Sequence, residues 1–121
     1  RRVRPCRAVP RIRATFGSWR SISTTVSIPD GTVLSVDKRG TGPPLVLLPG
    51  ALGSATTDLA PQLEFFSQHG CTVGVDPRGY GSSRPPARDF PPGFLERDGD
   101  DAAAVMETLG FDRFDVMGWS D

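Results

Sequence analysis

Long apolar runs are missing from this sequence. No stretch approaches the roughly 18 to 20 residues that a membrane-spanning helix requires, so no helical anchor is expected. Cysteine is scarce, with only Cys6 and Cys71, the second of them inside a β-prone run. Two such distant residues fit neither a disulfide framework nor a metal-ligand spacing, which makes a reducing compartment the default and leaves no cofactor to expect. Acid is absent before Asp30, whereas Arg1, Arg2, Arg4, Arg7, Arg11, Arg13 and Arg20 crowd the first twenty residues. Fourteen basic residues less these seven leaves seven, against fourteen acids, so everything after residue 20 is acidic. An acidic body disfavours nucleic acid as a partner, and the asymmetry points to a detachable basic leader.

Residues 1–24 are rich in Arg, Ser and Thr and contain no apolar core of the secretory type. That composition fits a mitochondrial transit peptide, disordered in the folded protein, and a mitochondrial location is therefore expected. Pro5 and Pro10 would break a helix in the first ten residues. Beyond them Ile12, Phe16 and Trp19 recur at helical spacing with arginines off the stripe, although Gly17 weakens the pattern. The competing reading is a basic leader with no address.

The remaining residues, 25–121, alternate between strand and helix signals. Thr25–Ile28 and Thr32–Val36 are β-prone runs joined by Pro29-Asp30-Gly31, which predicts a hairpin. Leu45–Leu48 and Cys71–Val75 read as parallel strands buried on both faces. Asp58–His69 reads as a helix with Leu59, Leu63 and Phe66 inward, Pro61 in its first turn and Gly70 just past its end. Phe94–Leu109 reads as a second helix with Val105, Met106 and Leu109 inward, Gly99 as a weak point and Gly110 as terminator. Phe114–Met117 is the last strand. The order is an antiparallel hairpin followed by a parallel β-α-β-α-β run, an α/β arrangement without internal repeats.

The sequence closes on Gly118-Trp119-Ser120-Asp121 directly after that last strand. This fits four of the five positions of G-x-S-x-G, the strand-to-helix turn that projects a serine nucleophile. A strained backbone there is expected to tolerate no side chain two residues before the serine. The amide of the following residue, Asp121, would point at the oxyanion of a tetrahedral intermediate. A second amide is expected from the loop Leu48-Pro49-Gly50-Ala51-Leu52-Gly53-Ser54, assigned to Ala51 with Leu52 as the alternative. Asp76-Pro77-Arg78-Gly79-Tyr80-Gly81-Ser82-Ser83 reads as a structural loop that Asp76 and Arg78 tie internally. Arg84 and Arg88, set among prolines, read as solvated. His69, the only histidine, falls at the edge of the sheet away from strand C-termini and is not expected to be the catalytic base.

Taken together, Leu47-Leu48-Pro49-Gly50, Asp76-Pro77-Arg78-Gly79-Tyr80-Gly81, Arg84-Pro85-Pro86 with Asp89-Phe90, Phe94-Leu95-Glu96-Arg97-Asp98 and Gly118-Trp119-Ser120-Asp121 resemble the biphenyl hydrolase-like (valacyclovir hydrolase) family over roughly residues 26–121. The resemblance implies the first part of an α/β-hydrolase fold, cut at the nucleophile elbow, and a mitochondrial serine hydrolase of α-amino-acid esters, prodrug esters included. It carries Ser120 over as nucleophile and Asp121 as the contact for the substrate ammonium. The partner is then a small-molecule ester, with no metal, nucleic acid or membrane involved, and the complete enzyme is expected to be a monomer. In such enzymes the acid and histidine follow the serine in chain order. Neither lies within these 121 residues, and the sequence also starts without methionine, so a piece of a longer, active chain is expected, itself catalytically silent. The alternatives are another serine-type hydrolase of this fold, such as a C–C hydrolase or perhydrolase, and a non-catalytic truncated product.

Overall fold

In the computed structural model the chain is described for residues 22–120. The basic stretch assigned to a leader lies outside these residues up to Ser21, as does Asp121. Eight elements follow in order: β1 (Ile22–Ser27), β2 (Val33–Arg39), β3 (Pro44–Leu48), α1 (Ala55–Asp58), α2 (Ala60–Ser67), β4 (Cys71–Val75), α3 (Phe94–Thr108) and β5 (Asp115–Gly118). The strands form one sheet in the order β1-β2-β4-β3-β5. β1 and β2 pair antiparallel, and β2 pairs antiparallel with β4. β3 lies at the heart of the parallel part, with β4 on one side and β5 on the other.

The expected hairpin forms, and its strands extend further than the β-prone residues alone suggested. The turn at Pro29-Asp30-Gly31 closes with Ile28 N–H donating to Thr32 O at 2.9 Å and Thr32 N–H donating to Asp30 Oδ1 at 2.8 Å. Gly31 takes φ +88°, a value that an L side chain adopts only at a cost. β1 starts at Ile22, because Ile22, Ser23 and Thr24 find pairing partners in Lys38, Asp37 and Val36. That extension depends on the facing strand, not on local propensity.

β3 divides the interior. Its alternate side chains go to opposite faces, as the pleat of a strand demands. Val46 joins Val26, Val36, Val73, Val75, Val105 and Met106 in one cluster, with Leu48 packed against it, so α3 covers this face. Leu47 joins Ala55, Leu59 and Leu63 in the other, with Leu45 and Phe66 at its margin, so α2 covers the opposite face. Helices on both sides explain why the five residues of β4 are all buried.

The helix expected over Asp58–His69 is two shorter helices that start earlier and end sooner. Ser54 caps α1 through a reciprocal pair of bonds: Thr57 N–H donates to Ser54 Oγ at 3.1 Å, and Ser54 N–H donates to Thr57 Oγ1 at 2.9 Å. Leu59 leaves the helical region (φ −124°, ψ 16°), and α2 restarts with Pro61 in its first turn, where a missing N–H costs nothing. Gly70 follows α2 but is not left-handed; a Cβ there would lie 2.5 Å from Pro43 O, so close approach, not helix termination, requires the glycine. Gly110 does terminate α3. It has φ +88°, with Gly110 N–H donating to Glu107 O and Phe111 N–H donating to Met106 O, both at 2.9 Å, the paired bonds of a Schellman ending.

Gly74 in β4 is where α1 and α2 come closest to the sheet. A Cβ there would meet Ala55 Cβ at 2.7 Å and Leu63 Cδ2 at 3.1 Å. Gly74→Ala is accordingly expected to lower stability by about 1–3 kcal/mol through overpacking. The shift of the urea midpoint measures it, and an unchanged midpoint would mean that α1 and α2 yield freely.

Candidate active site

Ser120 lies two residues beyond β5, at the C-terminal edge of the parallel strands. Leu48 and Gly118 are the last register partners of β3 and β5. Trp119 N–H then donates to Leu48 O at 3.2 Å, which carries the pairing one step past the strand. At the next residue the chain turns sharply: Ser120 has φ +65°, in the left-handed region that non-glycine residues avoid. Such a conformation costs on the order of 1–3 kcal/mol and persists where the surroundings over-determine it. Ser120 and Trp119 are both exposed.

The loop after β3 supplies the surroundings. A Cβ on Gly50 would stand 3.0 Å from Ser120 Cβ and 3.1 Å from Trp119 O, so the Gly50 backbone lies directly against the turn. Gly118, by contrast, has nothing within 4 Å of a built Cβ among the described residues, and its φ is not left-handed. Among the described residues, the close approach to the turn is made by Gly50. From Gly50 the chain makes a tight turn, with Gly53 N–H donating to Gly50 O at 3.1 Å and Leu52 at φ +63°. Ala51 and Leu52 occupy its exposed middle, next to Gly50.

Behind this turn, Asp76 fixes the loops that follow β3 and β4. Its carboxylate accepts from Ala55 N–H at 2.8 Å and from Ser82 N–H at 3.0 Å, and the side chain is buried. Ser83 is fully buried as well; its hydroxyl donates to Asp76 O at 2.7 Å and accepts from Ser35 N–H at 2.8 Å. Asp76 ties the loop internally, as expected, through the Ser82 N–H, whereas Arg78 does not. Arg78 reaches outward instead, with Nε and Nη2 donating to the two oxygens of Asp101 on α3 at 2.8 and 2.7 Å, and Nη2 also donating to Asp30 at 2.6 Å. The hydrogen bond from Arg78 holds the Asp30 carboxyl down at about 2 from its ordinary 3.8.

Arg88 is not solvated either. Its side chain is 7% exposed, and it pairs in a fork with both oxygens of Asp98 at 3.0 and 2.6 Å. Its guanidinium lies 4.3 Å from the Tyr80 ring centroid and 5.0 and 5.3 Å from those of Phe90 and Phe94. The bond to Asp98 pushes its pKa up further. Arg84 is exposed, as expected, with Nε donating to Gly79 O.

His69 is exposed just before β4, whose first residue pairs with the first residue of β3. It therefore lies at the opposite edge of the parallel strands from Ser120. Ser120 and the Ala51–Leu52 turn are brought together; His69 is not part of that assembly, and Asp121 falls outside the described residues. Arg88 and Asp98, ten residues apart with no helical or strand periodicity linking them, gave no local signal of their pairing.

A family model described as alpha/beta hydrolase fold matches residues 43–120. Among curated proteins, the chain is 46% identical over 110 residues to Serine hydrolase BPHL of mouse, covering 89% of this chain and 37% of that protein. It is 44% identical over 121 residues to Serine hydrolase BPHL of human, covering 98% of this chain and 42% of that protein. The chain thus spans about two fifths of the length of the curated relatives it matches. Among solved structures, an epoxide hydrolase from an endophytic Streptomyces superposes with a TM-score of 0.70 at 26% identity, over 83% of this chain and 30% of that one.

Proposed function

Because the chain belongs to the alpha/beta hydrolase fold family, we propose that it carries the nucleophile, Ser120, of a serine hydrolase that cleaves esters of α-amino acids. The observation that carries this reading is the left-handed Ser120 directly beyond β5, packed against Gly50. A serine in an ordinary loop has no reason to bear that strain. The relatives named Serine hydrolase BPHL support the same class.

In this reading Ser120 Oγ attacks the ester carbonyl carbon and forms a tetrahedral intermediate. The N–H groups of Ala51 and Asp121 donate to its oxyanion, a charge that forms only as the reaction proceeds. The intermediate collapses to an acyl-serine as the alcohol leaves, and water then releases the acid. A base has to take the Ser120 proton. His69 stands at the wrong edge of the sheet, so the base comes from outside these 121 residues. Asp121 directly follows the nucleophile in sequence, and an α-ammonium lies two bonds from the reacting carbon. A charge-assisted hydrogen bond between them selects amino-acid esters.

In the full-length protein, Ser120→Ala is expected to lower ester turnover on the order of 10⁴-fold or more while leaving the melting temperature close to that of the parent. The 121-residue chain alone should give background rates, and turnover by it that disappears in Ser120→Ala would contradict the need for an outside base. Asp121→Asn, assayed in the full-length protein, should reduce kcat/KM on an amino-acid ester by about ten- to a hundredfold, with little change on its desamino analogue. Equal losses on both esters would return Asp121 to the role of an acid capping the following helix.

A further inference from the structure

Asp76 follows β4 directly and stands at the same edge of the sheet as Gly50 and Ser120, which lie just beyond β3 and β5. Its carboxylate is buried and takes backbone donors from two separate loops, Ala55 N–H at 2.8 Å through Oδ1 and Ser82 N–H at 3.0 Å through Oδ2. We propose that Asp76 is a positioning residue for the reaction: by holding Ala55 it fixes the Gly50–Gly53 turn against Ser120, and so sets the rate of the chemical steps and not the binding of the ester. The inference rests on the serine-hydrolase reading and deepens it.

Little slack separates Asp76 from the nucleophile. Only residues 49–53 join the end of β3 to Ser54, the cap of α1. The sheet holds one end of this connection, because Leu48 is paired with Gly118 and its carbonyl accepts from Trp119 N–H. At the other end, α1 is a single four-residue turn, too short to be stable by itself. Its capping pair satisfies the N–H groups of Ser54 and Thr57. The Ala55 N–H, which a helix start leaves without an intrahelical acceptor, goes to Asp76. A displacement of Ala55 therefore passes into the tight turn closed by Gly53 N–H and Gly50 O, and on to the point where a Cβ on Gly50 would stand 3.0 Å from Ser120 Cβ. Asp76 itself is held too firmly to follow such a displacement. Its N–H donates to Ser35 O on β2 at 3.0 Å, and its carbonyl accepts from the buried Ser83 hydroxyl at 2.7 Å. Gly81, at φ +46°, lies against the carboxylate: a Cβ there would collide with Oδ2 and come to 2.9 Å from Ser54 Cβ. The residue type follows from the two donors. A carboxylate offers two acceptor oxygens, whereas an amide of the same shape offers one and turns N–H groups toward the second donor. A misplacement of about 1 Å in catalytic geometry costs on the order of 100-fold in rate, so a small shift of this turn is read in kcat.

The test compares Asp76→Asn and Gly81→Ala with the parent in the full-length protein. The first removes one acceptor, and the second leaves the carboxylate but pushes it aside. Fluorophosphonate labelling carried to completion counts the competent sites in each preparation, so a partly folded variant is still read per site. Both variants are expected to lose about tenfold or more in kcat on alanine benzyl ester, with KM within about twofold of the parent. A trifluoromethyl ketone analogue of that ester, which adds to Ser120 as a tetrahedral oxyanion, should lose affinity by the same factor as kcat/KM, while the unreactive methyl ketone binds as before. Ser83→Ala is the control for stability alone. It strips the Ser35 N–H of its acceptor and lowers the melting temperature without touching the carboxylate, and its kcat per site stays at the parent value. Parent-like kcat per site in either Asp76→Asn or Gly81→Ala overturns the proposal, as does a rise in KM with kcat unchanged. A loss in Ser83→Ala equal to that in Asp76→Asn also overturns it, because any loosening of the loop would then suffice. A parent that takes no fluorophosphonate and cleaves no ester would instead bring down the serine-hydrolase reading, and the role of Asp76 with it.

Discussion

The close approach of the Gly50 backbone to Ser120 is the contact on which the site depends. A left-handed serine costs on the order of 1–3 kcal/mol, a sizeable share of the roughly 5–15 kcal/mol that stabilises an ordinary domain. Such a conformation survives only where the chain is held on both sides of it. Upstream, the β3–β5 pairing and the added bond from Trp119 N–H to Leu48 O fix the direction of approach. Across from it, Gly50 leaves no room for the chain to relax toward the loop, and a methyl there would itself collide with Ser120 Cβ. β3 takes part in both constraints, since it pairs with β5 and continues into Gly50.

The loops around this contact are held by charge, with each charged group facing a defined partner. Asp76 takes the place of a backbone acceptor and joins the start of α1 to the turn after β4. Arg78 and Arg88 tie that same turn and the proline-rich segment to Asp101 and Asp98, on neighbouring turns of α3. Pairs this buried add little net stability over an apolar filling. Removing one partner leaves an isolated buried charge and costs about 3–5 kcal/mol. Their effect is specificity of position: α3 is held at one height over the sheet.

Much of this was legible in the sequence, and the exceptions share a cause. β4 is bounded as expected because a short apolar run between Gly70 and Asp76 signals a strand buried on both faces, whereas β3 starts one residue before the expected Leu45 and β5 lies one residue beyond the expected Phe114–Met117. The turn at Gly118-Trp119-Ser120 was recognisable because its residue spacing and its place after a strand agree. Misreadings arose where a residue's role is decided by a partner far along the chain. Arg88 among prolines looks solvated until Asp98 and three rings enclose it. Arg78 is close to Asp76 in sequence, yet its guanidinium bonds to Asp101 on α3 and to Asp30, not within the loop. The early start of α1 was missed although Ser54 and Thr57 carry the capping pattern, because the threonine run between Ala55 and Asp58 has low helix propensity. The approach of Gly50 to Ser120 has no local signal, because only the sheet brings the two near.

The central claim is that Ser120 is an activated nucleophile. A fluorophosphonate, which phosphorylates an activated serine hydroxyl, tests it most directly when the full-length protein is labelled, digested and read by peptide mass. The account predicts a single adduct, on Ser120, abolished in Ser120→Ala and formed more slowly when an ester substrate competes. An active preparation whose adduct lies on a different serine, or which carries none, would contradict it.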